Sequence, residues 1–267
     1  MGKLRLGWRS LLLVLWLVYS LLLAGGLRLS EAACQRALPK LRQRLSRDCF
    51  RLLRACLPVQ VQVRGELPTQ TALWVSNHVS WVDIALLGAL QPLTFLSKAE
   101  VRHWPIAGWL AVQAGTLFIQ RGAGDSSTVG SQIAEQLHAG HAVLLFPEGT
   151  TTDGHSLRTF HGRLLTGVIE QPIALQPVAI RYWRNGQLDP NAAFIGDDDL
   201  LSHLRRLLAA PSAQVTLELL PALQALPGEN RNQLARRAQH CIAHSLHNQA
   251  APTAATPTAN TDPQLQP

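Results

Sequence analysis

The spacing of apolar and polar positions along this chain changes several times, and each change marks a new element. Residues 10–27 form an eighteen-residue stretch without a charge. As a helix it spans about 27 Å, against a bilayer hydrocarbon core of about 30 Å. From Pro39 the period becomes helical: Leu41, Leu45, Cys49, Leu52, Leu53 and Cys56 share a face opposite Arg42, Arg44, Arg47, Arg51 and Arg54. That pattern predicts a basic amphipathic helix suited to anionic headgroups. Residues 59–64 then alternate strictly, as a half-buried strand does, while residues 72–76 and 142–146 are short apolar runs of the kind found in buried strands. Residues 93–96, 116–121, 173–181 and 214–220 add four more strands. Helical spacing covers residues 81–90, 125–138, 200–208 and 231–247.

Strands alternating with helices predict an α/β fold, a mixed, mostly parallel sheet flanked by helices, behind an N-terminal membrane-associated helical segment. The organisation follows as residues 1–57 for the anchor and basic helix, 58–248 for the α/β domain, and 249–267 for a tail. The tail is rich in Pro, Thr, Ala and Gln, lacks apolar periodicity, and reads as disordered.

Charge sharpens this picture. The net charge is +7, with 24 Lys and Arg, and the excess lies in the first sixty residues. A basic cluster directly behind an apolar segment points to a membrane surface. A nucleic-acid binder would carry its arginines on the globular domain, interleaved with aromatics, so nucleic acid is not an expected partner. Lys3, Arg5 and Arg9 precede the apolar stretch, whereas Arg28, Arg36, Lys40, Arg42, Arg44 and Arg47 follow it. By the positive-inside rule this favours a retained segment over cleaved export, at the inner (cytoplasmic) membrane with the α/β domain facing the cytoplasm. Whether the segment crosses the bilayer or dips into one leaflet stays open. Cys34, Cys49, Cys56 and Cys241 form no regular framework and read as reduced packing residues. No metal-ligand spacing, dinucleotide fingerprint or phosphate-binding P-loop is present, so no metal and no cofactor is expected.

The candidate chemistry begins at Asn77-His78-Val79-Ser80-Trp81-Val82-Asp83. A histidine at a strand-to-helix turn keeps one ring nitrogen free, and an acid in the first helical turn can fold back to hold the other, which makes a general base with an orienter. Ser80 and Asp83 also have the spacing of a capping box. A second block, Phe146-Pro147-Glu148-Gly149-Thr150, follows another strand.

Together these two blocks resemble the glycerolipid acyltransferase superfamily, whose members carry N-H-x4-D and F-P-E-G in this order. Residues 115–121, Gly115 to Arg121, resemble its second block, G-x-x-x-I-x-R, and Gln176-Pro177-Val178 resembles its fourth. The resemblance covers about residues 72–180 and implies His78 and Asp83 as catalytic residues, with Asn77, Gly115, Arg121, Glu148, Gly149 and Thr150 binding substrate. A guanidinium at Arg121 suits phosphate or carboxylate. Where the family often has an arginine after the threonine, this chain has Thr151-Thr152-Asp153-Gly154, leaving Arg158 or Arg163 to supply that charge. No nucleophile elbow is present and no cysteine neighbours a motif, so direct attack without an acyl-enzyme is expected. The expected activity is transfer of a fatty acyl group from acyl-CoA or acyl carrier protein to a lysophospholipid acceptor, 1-acylglycerol-3-phosphate. The alternatives are lyso-ornithine lipid as acceptor, or a non-catalytic membrane-binding relative. Membrane lipids complete the expected partners.

Overall fold

The structure is a computed structural model that describes residues 1–120, 126–169 and 173–251. Its helices are α1 (Gly2–Cys34), α2 (Pro39–Cys56), α3 (Trp81–Gly88), α4 (Ala107–Gln113), α5 (Ser126–His138), α6 (Thr166–Ile169), α7 (Leu200–Ala209) and α8 (Arg231–Asn248). Its strands are β1 (Val59–Arg64), β2 (Ala72–Ser76), β3 (Thr94–Lys98), β4 (Leu117–Ile119), β5 (Val143–Leu145), β6 (Ala174–Arg184), β7 (Gln187–Leu188) and β8 (Ala213–Leu219).

The strands form one sheet in the order β1-β8-β6-β2-β5-β3-β4, with β7 hairpinned onto β6. β2 through β6 run parallel, β8 is antiparallel to β6, and β1 is parallel to β8. The expected mixed, mostly parallel sheet is therefore present. β2 sits centrally with all five residues buried, paired on both sides, which is why it reads as a continuous apolar run rather than an alternation.

Side-chain alternation divides the core into two layers. Trp74, Leu144, Val178, Ile180, Val215 and Leu217 face one side with Leu53 of α2, Val82 and Leu86 of α3 and Leu207 of α7. Leu73, Val75, Val143, Leu145, Leu175 and Ala179 face the other, with Ile133 of α5 and Leu234, Ala238 and Ile242 of α8. Each fully buried Leu, Val or Ile stabilises the fold by about 1.5–3 kcal/mol. This three-layer arrangement fixes the carboxyl ends of β2, β5, β3 and β4 along one edge, where open α/β sheets place their crevices.

α1 is longer than the predicted apolar stretch, because the residues flanking it also continue the helix; at 33 residues it is about 50 Å long. It is the one helix among the described residues long and apolar enough to cross a membrane. It also docks on the domain. The Arg9 guanidinium, buried, donates to Leu208 O at 2.8 Å and Ala210 O at 2.6 Å, satisfying carbonyls at the end of α7. Trp16 Nε1 donates to Cys49 O in α2. The opposite side of α1 exposes Leu4, Trp8, Leu11, Leu15, Val18 and Leu22, an apolar stripe at three- and four-residue spacing.

α2 departs from expectation. The helix expected to lie on anionic headgroups turns much of its apolar face inward: Leu53 is buried in the core and the Phe50 ring meets Gly88 of α3 so closely that no Cβ fits there. The helical period is present, and α1 and α3 cover much of that face, leaving Leu41 and Leu52 exposed. Several of its arginines are held within the protein, Arg42 by Glu31 and Arg51 by Ala89 O. All four cysteines are free thiols, but Cys34 is exposed and does not pack as expected. α4, absent from the sequence reading, follows Ile106 at φ 62. It ends in a Schellman motif, in which Gly115 N bonds Val112 O and Thr116 N bonds Ala111 O. Residues 252–267 of the predicted tail, and Asp125, the predicted start of α5, lie outside the described residues.

Candidate active site

The site forms where β2 ends and α3 begins. Beyond Ser76 the ladder to β6 is continued by a side chain: Asn77 Nδ2 donates to Ile180 O at 2.9 Å and Asn77 Oδ1 accepts from Ile180 N at 2.8 Å. This amide clamp, fully buried, fixes the residue before His78.

Asp83, in the first turn of α3, is fully buried and four donors converge on it. Oδ2 lies 2.9 Å from His78 Nδ1 and accepts from Val79 N at 2.8 Å and Ser80 N at 2.6 Å. Oδ1 accepts from Tyr182 OH at 2.5 Å. The two readings of this segment therefore do not compete: the carboxylate that reaches back to the N-cap amide of α3 also holds the histidine. An ionised carboxylate only accepts, so the network assigns the proton to Nδ1 and leaves Nε2 bare. Among the described residues Nε2 has no hydrogen-bond partner. The ring stacks on Phe146, with centroids 3.8 Å apart and an interplanar angle of 10°, and the side chain keeps 17% of its surface exposed. A base fixed at one nitrogen, stacked on one face and open at the other nitrogen can take a proton from a bound hydroxyl.

Glu148 is 3% exposed and both its oxygens are engaged. Oε1 accepts from His78 N at 2.9 Å and Oε2 from Arg158 N at 2.8 Å. Burial pushes its carboxyl above the ordinary range, partly offset by those two amides. Gly149, at φ 68, closes the turn with its amide on Phe146 O. Thr150 is half-buried beside it, and Thr152 N donates to His78 O at 2.8 Å. Glu148 thus ties two loops together: the backbone of Arg158 is held to the same carboxylate as that of His78, and the Arg158 side chain is exposed. Arg163, the other candidate cation, sits in a 3₁₀ turn over 162–165, and among the described residues no hydrogen bond or ion pair links it to His78.

The structure therefore brings together Asn77, His78, Asp83, Glu148, Gly149 and Thr150. Gly115 serves to end α4, and Arg121 lies outside the described residues. Two contributors were missed by the sequence reading. Tyr182 could have been found from alternation, since it shares a face of β6 with Val178 and Ile180. His203 of α7 is buried, accepts from Trp81 Nε1 at 2.9 Å on Nδ1 and contacts Ala193 O at 3.1 Å through Nε2. Burial, then the Arg206 charge, lower its pKa. It is a neutral strut between α7 and the first residue of α3.

A family model described as Acyltransferase matches residues 59–181. The chain is 54% identical to the lyso-ornithine lipid O-acyltransferase of Pseudomonas aeruginosa, over 95% of this chain and 98% of that protein. It is 28% identical to the 1-acyl-sn-glycerol-3-phosphate acyltransferase of Neisseria meningitidis, over 76% of this chain and 81% of that protein. Its fold is similar to the crystal structure of the 1-acyl-sn-glycerophosphate (LPA) acyltransferase PlsC from Thermotoga maritima, with a TM-score of 0.62 over 92% of this chain and 97% of that one, at 17% identity.

Proposed function

Since this chain belongs to the lysolipid acyltransferase family, we propose that it acylates the free hydroxyl of lyso-ornithine lipid, with His78 as general base and Asp83 as its orienter. Of the two acceptors the motifs left open, lyso-ornithine lipid is supported over 1-acylglycerol-3-phosphate by the level of similarity, 54% across almost the whole chain against 28%. The observation that supports the chemistry is the histidine held at Nδ1 by a buried carboxylate and open at Nε2.

Nε2 takes the hydroxyl proton as the acceptor oxygen attacks the thioester carbonyl of acyl-CoA or acyl carrier protein. A C–O bond forms and the tetrahedral intermediate collapses with loss of the C–S bond. The proton on Nε2 passes to the departing thiolate, giving the ester and a free thiol. Asp83 fixes the Nδ1–H tautomer and stabilises the imidazolium formed in transit. Glu148 and Asn77 hold the loop in place, since their polar atoms are committed to backbone partners. Arg158, exposed and tethered through Glu148, is assigned to the headgroup carboxylate together with Arg121. The apolar stripe of α1 rests in the membrane, which supplies the lipid acceptor.

The test is to incubate the purified full chain in mixed micelles with acyl-CoA or acyl carrier protein charged with a fatty acid, and lyso-ornithine lipid. Ornithine lipid should appear by mass with the wild-type protein and vanish with His78→Ala. Product formation by His78→Ala at the wild-type rate would refute the base assignment, and no product from wild type with either donor would refute the acceptor.

A further inference from the structure

Tyr182 belongs to none of the recognised blocks, yet it makes the shortest contact to the candidate base–acid pair among the described hydrogen bonds of Asp83. Its ring is packed in the core beside Val178 and Ile180, and its hydroxyl donates to Asp83 Oδ1 at 2.5 Å. Burial, then the adjacent Asp83 charge, raise its pKa well above the ordinary tyrosine value, so it stays a donor. A 2.5 Å O–H···O⁻ contact is in the charge-assisted range.

The placement on β6 gives this contact a role. Ile180 grips Asn77 through both its amide and its carbonyl, and Tyr182, two residues further on the same face, grips Asp83. One strand thus holds both ends of the segment from Asn77 to Asp83. Turning the carboxylate about its Cβ–Cγ bond swings both oxygens, so the phenol contact on Oδ1 adds a fourth restraint, on the other oxygen, to the three bonds that hold Oδ2.

We infer that Tyr182 is a positioning residue for acyl transfer: its buried hydroxyl holds the second oxygen of the Asp83 carboxylate and, with the bonds on Oδ2, keeps Oδ2 aimed at His78 Nδ1. The inference rests on His78 acting as the base. Among the described residues, charged groups near the pair include Glu148, which holds His78 N from the β5 side, and Asp189, which lies beyond Tyr182 and is paired with Arg184.

Tyr182→Phe keeps the ring and deletes the donor. It should lower kcat about 10- to 150-fold, the range for loss of a hydrogen bond to a charge, with KM for acceptor and donor unchanged. The acid limb of its pH–rate profile should move to higher pH, because a less shielded carboxylate holds the protonated imidazole more firmly. 3-Fluorotyrosine at position 182 keeps the hydroxyl and makes it a stronger donor. It should fold as wild type, keep kcat within a few-fold, and move the limb to lower pH. A merely structural tyrosine would change the melting temperature and leave both limbs in place. Unmoved limbs in both variants, a wild-type kcat in Tyr182→Phe, or a loss confined to KM would overturn the inference. A wild-type protein inactive on lyso-ornithine lipid, or an active His78→Ala, would instead overturn the function on which it rests.

Discussion

Replacing Glu148 by Gln separates a bracing role from a substrate-binding one. Both carboxylate oxygens accept backbone amides, from His78 and from Arg158. A carboxamide has one acceptor oxygen, so in Glu148→Gln one of those amides must face an NH₂ group. A buried donor left without an acceptor costs about 1–3 kcal/mol. In a domain of this size each kcal/mol lowers the melting temperature by about 2–4 °C, so the variant should melt about 2–12 °C below wild type. Because the amide in question carries His78 or its tether, the imidazole shifts, and a misplacement of about 1 Å costs on the order of 10²-fold in rate. Glu148→Gln should therefore show a lower melting temperature and a lower kcat with little change in acceptor KM, measured by thermal unfolding and steady-state acyl transfer on the same preparation. An unchanged melting temperature with a raised acceptor KM would refute the bracing role and return Glu148 to direct substrate contact.

Arg158→Ala should lower kcat/KM for lyso-ornithine lipid by about 10- to 150-fold while leaving the acyl donor's KM unchanged, because only the acceptor carboxylate uses that charge; equal losses for donor and acceptor would contradict this. Arg9→Met should strip two charge-assisted bonds from the end of α7, and hydrogen exchange should then quicken in α1 and in the last turn of α7. Unchanged protection there would mean that the Arg9 bonds do not hold α1 to α7. His203 has a folded-state pKa below its ordinary 6.5. Between that depressed value and 6.5 the unfolded chain binds more protons than the folded one, so stability rises with pH across this window and is lost as the pH falls through it. His203→Gln, which keeps an acceptor for Trp81 Nε1 and a donor for Ala193 O, should flatten that dependence in melting curves taken from pH 7.5 downward. An equally steep acid loss in the variant would place the titrating group elsewhere.

What could be read from the sequence was local. His78 and Asp83 are five positions apart, and the strand-to-helix turn that joins them lies within one run of residues. The central strands were legible by length, since apolar runs this short suit a buried strand better than a core helix. The rest depends on partners distant in sequence. Asn77 finds Ile180, 103 residues away, and Asp83 finds Tyr182, 99 residues away. No spacing rule joins such pairs until the sheet order places β6 beside β2. Gly115 illustrates a related limit: a motif match drew attention to its place in a block, while its positive φ and the Schellman bonds show what its backbone does there. α2 shows a third. A hydrophobic face reveals that something covers it, and the choice between a lipid surface and a neighbouring helix is made by packing.

Acceptor choice, lyso-ornithine lipid over 1-acylglycerol-3-phosphate, is open to a direct competition. Offering lyso-ornithine lipid and 1-acylglycerol-3-phosphate together, at equal concentration in the same micelles with one acyl donor, reads the ratio of their kcat/KM values directly from the two products. Ornithine lipid should form in large excess over phosphatidic acid, and a product mixture dominated by phosphatidic acid would refute lyso-ornithine lipid as the preferred acceptor.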